Sequence, residues 1–250
     1  MKNLFKYAAA QWRSMLAIIV ILFVQAYCDL SLPAYTSDIV NVGIQQGGIE
    51  DQIPETISVE EMERLLLFVP QDSQQKVLDA YETDSSTYET EAYVLKASVA
   101  EDEDAMADLE EILQGPMMLT AGFESGSDMT KQIEDQIKAN LPAQMAGADA
   151  DMFDIMAMLS QDQREALVES MGAQLDEVPD SILDQAAVSY VRSAYENVGM
   201  DMNEMQTDYL LSTGGKMAAL AFLGMAASVM VGFLASRVGA SSGRNLRSRG

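Results

Sequence analysis

Two uncharged apolar runs stand out along the chain. Met15 to Cys28 reads MLAIIVILFVQAYC, and Gly214 to Ser236 carries a single charge, Lys216, near its start. A helix rises about 1.5 Å per residue, so roughly 20 residues cross the hydrocarbon core. The second run meets that length by itself. The first meets it when Asp29 lies at the outer interface and the helix continues toward Leu32. Trp12 and Tyr35 then mark the two interfaces of a tilted span. A basic start before a short apolar core also fits a signal peptide. Against that, Ala26-Tyr27-Cys28 is a poor small-residue cleavage site, and Gln25-Ala26-Tyr27 ahead of Cys28 is a poor lipoprotein signal.

Between the runs the pattern is helical and polar. Ser58 followed by Glu61 is a capping-box pattern before Met62 to Phe68, and Ser160 followed by Gln163 repeats it before Arg164 to Met171. Another helix is predicted over Ser181 to Asn197, with Ile182, Ala186, Val188, Tyr190, Val191 and Tyr195 for its buried face and Gly199 ending it. Pro70, Gly115-Pro116, Gly122 to Gly126 and Pro142 are expected to break the segments. After the first run, Pro33 is expected to interrupt the helix, which resumes through Ile44 and ends at Gly47-Gly48. Alternating β-branched runs are scarce and no solenoid-length repeat is visible.

The reading is an all-α membrane protein with two transmembrane helices flanking a mainly helical extracytoplasmic domain. Residues 1–49 form an amphipathic start, the first span and its outer extension. Residues 50–207 form the acidic outer domain, and 208–250 the second span with its cytoplasmic extension.

Charge sets the orientation. All 39 acidic residues lie between Asp29 and Asp208, alongside seven cations, which makes this middle −32 within a net −24. The two ends hold eight cations and no acid: Lys2, Lys6, Arg13, Lys216, Arg237, Arg244, Arg247 and Arg249. Lys and Arg flanking the spans favour the cytoplasmic side, so both termini are placed inside. Phe5, Tyr7 and Trp12 among the first cations suit a short helix in the inner headgroup region. An acidic middle argues against nucleic acid and anionic surfaces as partners.

The second span carries Gly224, Ser228, Gly232 and Ser236 at four-residue spacing, with Ala221 before them. Such a small-residue stripe lets another membrane helix approach the backbone closely, and packing of that kind drives association where lipid supplies no hydrophobic force. It is the candidate site, and its implied partners are the bilayer and other transmembrane helices.

Candidate chemistry is thin. The chain has no histidine, which removes histidine bases and the commonest transition-metal ligand. Gly215-Lys216 is followed by Met217, and position 210 is leucine, so the phosphate-binding pattern is absent. The run Glu101 to Asp104 lacks the spacing of a calcium loop and reads as a solvated helix start. Met152, Met156 and Met158 are better suited to core packing than to copper. The lone Cys28 forbids an internal disulfide and reads as a small filler. No catalytic residue, metal ligand or cofactor is assigned to this chain.

The order of these features nevertheless resembles a known family. The basic start, Ser14 to Val24, Leu32-Pro33, Ser37-Asp-Ile-Val-Asn-Val-Gly-Ile44 and Asp208-Tyr-Leu-Leu-Ser-Thr-Gly-Gly-Lys216 look like the first two membrane helices of an ABC exporter. Ala235 to Arg247 is similar to the cytoplasmic extension of that family's second helix. Asp184 to Asp201 looks like the end of a long insertion between these helices, as in exporters of anaerobic Gram-positive bacteria. The resemblance implies a half-transporter in a bacterial plasma membrane, with six membrane helices and an ATP-binding domain. It would pair with a second half-transporter, as homodimer or heterodimer, and use ATP and magnesium. Helices three to six and the ATPase motifs are missing, so the chain reads as an amino-terminal fragment, and the substrate is open. Two rivals share its plan: a two-span bacterial receptor with a helical sensing domain, and a permease with a large outer domain.

Overall fold

A computed structural model describes residues 12–84, 91–140, 151–175 and 178–247. Residues 1–11 of the expected amphipathic start and the break expected at Pro142 lie outside them. The chain divides into two compact units, Met1–Gly48 with Gln206–Gly250, and Ile49–Met205. Helix dominates, at 81% of the described residues.

The first unit is a pair of long helices. Helix α1 spans Trp12–Asp38 and passes into a π-helical segment, Ile39–Gln45. Its partner in this unit belongs to α10, Met202–Arg247, whose first residues fall in the other unit. Both are long and apolar enough to cross a membrane, and only 6% and 11% of their most apolar windows are buried. The core helix of a water-soluble domain would be mostly covered. Pro33 does not interrupt α1 as expected; it lies inside the helix. Proline there removes one N–H bond, and hydroxyls brace the adjoining turns, with Ser31 Oγ donating to Tyr27 O at 2.8 Å and Thr36 Oγ1 to Leu32 O at 3.0 Å.

The second unit is helical around a small antiparallel sheet. Its elements are β1 (Thr56–Ser58), α2 (Val59–Leu66), α3 (Gln71–Ala80), β2 (Tyr81–Asp84), β3 (Ala92–Leu95), α4 (Ala97–Ala100), α5 (Glu103–Ser125), α6 (Asp128–Asn140), α7 (Met152–Met158), α8 (Gln161–Leu175) and α9 (Asp180–Asn197). Strand β3 is central, pairing Ile57 with Tyr93 on one side and Thr83 with Tyr93 on the other. The sheet was not anticipated, because strands of three or four residues are too short to show alternation.

Helix α9 packs along α5, and Leu109, Leu113 and Met117 of α5 share a core with Ala187, Tyr190 and Ala194 of α9. The sheet closes that core with Ile57, Tyr81 and Leu95. A second core joins α5 to α7 and α8 through Leu119, Met152, Met156 and Met171, with Phe68 stacked on Phe123 at 5.5 Å and edge-on to Phe153 at 5.7 Å. Met152 and Met156 are thus core residues, while Met158 is exposed. Ile182, expected on the buried face of α9, is also exposed, and Ala187 and Ala194 are buried there instead.

Gly115-Pro116 does not break a helix; both lie within α5. The absence of a side chain at 115 lets Leu175 come close, since a Cβ there would stand 3.0 Å from Leu175 Cδ1. The helix ends only at Gly126, which takes the left-handed conformation at φ 62°. The N–H groups of Ser127 and Gly126 return to the carbonyls of Gly122 and Phe123, which satisfies two end carbonyls. Asp102 starts the same helix by accepting from the N–H groups of Asp104 and Ala105, so the acidic run is a solvated cap.

Candidate functional site

The helix pair is organised around glycine contacts. A Cβ on Gly224 would stand 3.4 Å from Cys28 Cβ and 3.7 Å from Asp29 Oδ1, and one on Gly43 would stand 2.5 Å from Leu210 Cδ2. Early residues of α1 thus face late residues of α10, and the helices run antiparallel. Fully buried Cys28 fills this contact. At the other crossing, Gln206 Nε2 donates to Gly43 O at 2.7 Å and satisfies a carbonyl of the π-helical segment. Segments of that kind are concentrated at functional positions in helices.

The covered face of α10 is not the predicted stripe. Thr213, Met217, Leu220, Gly224, Ala227, Val231, Leu234 and Val238 are buried or half-buried, and their spacing alternates between four and three. That is the seam of two helices packed at a shallow left-handed angle. Ala221, Ser228, Gly232 and Ser236 are exposed, and only Gly224 belongs to both sets. The cause is geometric: four residues advance about 400°, so the stripe rotates roughly 40° per step away from the seam. No atom lies within 4 Å of a Cβ built on Gly232, and Ser236 Oγ turns back to Phe233 O at 2.9 Å.

Arg13 lies fifteen residues before Cys28, and Arg237 thirteen after Gly224. At about 1.5 Å per residue both are some 20 Å from the same crossing, at the same end of the pair. Gly214, Gly215 and Lys216 lie within α10. Their backbone is committed to the helix and forms no loop around a phosphate, so these three residues do not fit the ATP and magnesium that the resemblance implies.

The second unit holds a buried polar cluster that sequence reasoning missed. Ser58 Oγ accepts from Glu61 N at 3.2 Å, which is half of the predicted capping box. The Glu61 side chain, 4% exposed, turns inward instead of completing the box, and its Oε1 accepts from Asn197 Nδ2 at 2.6 Å. Oε2 has no partner, and neither has the fully buried hydroxyl of Tyr190. Burial pushes the Glu61 carboxyl above the usual carboxylate range, with Glu124 and Glu60 adding to the rise and Asn197 and Arg64 opposing it. Burial also raises the Tyr190 phenol well above its ordinary value, reinforced by the Glu61 and Glu124 carboxylates. At the edge, Arg64 reaches Glu60 at 2.8 Å and Glu124 at 3.3 Å and lies over the Phe153 ring.

The cluster ties α2 to the end of α9. Its Glu61 carboxyl, with a pKa raised by burial, is held by the Asn197 amide. Among the described residues no three histidine, cysteine or acidic side chains converge as a metal site. The inward turn of Glu61 was hidden because its sequence position suited a surface cap. Comparison with protein-family models, curated proteins and solved structures finds no match to this chain.

Proposed function

We propose that the chain supplies the first two membrane helices of an ABC-exporter-type transmembrane domain in a bacterial plasma membrane. Both termini are cytoplasmic and the acidic unit 49–205 is outside. ATP and magnesium act on the ATP-binding domain of the implied half-transporter, which works with a second half-transporter.

One observation carries the reading beyond a plain anchor: the small-residue stripe is exposed while a separate seam joins the two helices. Ser228, Gly232 and Ser236 leave a shallow strip on α10. Leu16, Ile19, Val20 and Phe23 of α1, and Phe222, Met225, Val229 and Phe233 of α10, remain uncovered beside it. Apolar faces of this kind suit lipid, and the strip suits a further helix. Contact between Cys28 and Gly224 favours a retained first helix over a cleaved signal. Arg13 and Arg237 at one end of the pair agree with a common cytoplasmic side.

The test isolates the complex that the tagged chain forms in its native membrane. An exporter requires magnesium-dependent ATP hydrolysis in that complex and both terminal tags accessible to protease only in inverted vesicles. A complex devoid of ATPase activity, or a tag digested from outside, overturns the reading.

A further inference from the structure

We infer that the groove between α5 and α8 is a docking site for a cationic amphipathic peptide. It has an apolar floor, an uncompensated acidic rim and an opening at a glycine. The inference concerns the second unit alone and stands independently of the export reading.

The groove has a volume of about 720 Å³. Phe68, Ile112, Leu119, Val168, Leu175 and Leu183 supply its apolar lining, drawn from α5, α8 and their neighbours. Gly172 of α8 leaves it open, since nothing lies within 4 Å of a Cβ built there. On the rim stand Asp72, Glu111, Glu165, Glu169 and Asp180, and no lysine or arginine is among the lining residues. None of these five carboxylates is in an ion pair among the described residues. Lys76, one turn beyond Asp72, is engaged with Asp108 at 2.7 Å. Arg164 lines the adjoining cleft beside Pro70 and Gln74.

Charge complementarity selects the occupant. An anionic lipid would set its phosphate against five acids, and a second copy of this strongly acidic unit would meet like charge. An apolar trough between two helices accepts the apolar face of a third, and flanking lysines or arginines would reach the rim. The surplus of negative charge on the middle of the chain also draws such a peptide toward the unit before contact.

The experiment places the full chain in lipid nanodiscs and follows the anisotropy of a labelled helical peptide of leucine and lysine, with empty nanodiscs subtracted. Saturable binding is expected, weakened about tenfold when Glu111→Gln, Glu165→Gln and Glu169→Gln are combined. Gly172→Leu, which fills the groove without changing charge, should weaken it comparably. Neutralising Glu101, Glu103 and Asp104, away from the groove, should leave affinity within about twofold. The inference is overturned if this control weakens binding as much as the rim variant, if neither groove variant changes it, or if a peptide with glutamate for lysine binds equally. Each variant's helical content, read by circular dichroism, confirms that the chain is folded.

Discussion

Asn197 and Glu61, 136 residues apart, are joined by a 2.6 Å hydrogen bond from the Asn197 amide to Glu61 Oε1. The bond holds the end of α9 against the first turn of α2 and keeps one carboxylate oxygen satisfied inside the protein, while the other has no partner. That asymmetry gives Glu61 a defined pH dependence.

Burial raises the Glu61 pKa in the folded chain, so the folded state binds its proton more tightly than the unfolded state. Stability from this group is therefore full below the ordinary carboxylate range and is lost as pH rises through the raised folded value. Glu55, raised by burial and by Asp51 and Glu50, acts in the same direction. Glu61→Gln keeps an acceptor for Asn197 and removes the ionisation. The variant should melt above the parent at pH 8, with the gap closing toward pH 4, as followed by circular dichroism. A gap that widens in acid would contradict this assignment.

Two of the buried tyrosines, Tyr190 and Tyr81, should respond oppositely to loss of their hydroxyls. Tyr190 OH has no partner, so Tyr190→Phe discards an unsatisfied polar group and should be neutral or stabilising by up to about 1 kcal/mol. Tyr81 OH donates to Pro54 O at 2.9 Å, and Tyr81→Phe strands that carbonyl, at about 1–2 kcal/mol. Denaturant midpoints of the two variants, measured side by side, decide the matter, and equal losses would refute the distinction.

Local signals explain which parts of this fold were legible in sequence. The helix expected over Ser181 to Asn197 is found at Asp180–Asn197. Gln163 Oε1 accepts from the backbone N–H of Ser160, which is one half of the capping pattern. These features depend on neighbours in sequence. Gly115-Pro116 misled because a proline inside a long, well-packed helix costs less than the packing returns, and Pro33 because the Ser31 and Thr36 hydroxyls brace the turns around it. The seam on α10 was obscured because nearly every position there is apolar or small. Its three-and-four alternation shows only when one face is covered. The inward turn of Glu61 and the groove over Gly172 depend on elements far apart in the chain, which no local pattern encodes.

Two helical glycines of the second unit make a controlled pair. A Cβ at Gly122 would lie 2.4 Å from Thr130 Cγ2, at the turn where Thr130 Oγ1 donates to Gly122 O at 2.7 Å. Gly122→Ala should therefore destabilise by about 1–3 kcal/mol through overpacking. Gly172 lies within α8 and meets nothing, so Gly172→Ala should stabilise by up to about 1 kcal/mol through helix propensity. Thermal unfolding of both variants tests the pair. Similar shifts of the same sign would show that the α5 to α6 turn is not as described.

The helix pair makes a covalent prediction. Cys28 is the chain's one cysteine, and the 3.4 Å from its Cβ to the position of a Cβ on Gly224 is close to the separation across a disulfide, about 3.5–4.5 Å. Gly224→Cys should therefore close an intramolecular bridge on mild oxidation in membranes, seen as a reducible gain in gel mobility. Gly232→Cys, two turns along the exposed stripe, should form no bridge to Cys28. In the native membrane, Gly232→Cys would instead react with whatever helix covers the stripe, giving a higher-mass adduct with a bifunctional thiol-to-amine reagent of short reach. Failure of the Gly224→Cys bridge, with the thiols shown to be reactive after unfolding, would refute the antiparallel seam. A bridge from Gly232→Cys to Cys28 would place the stripe on the wrong face.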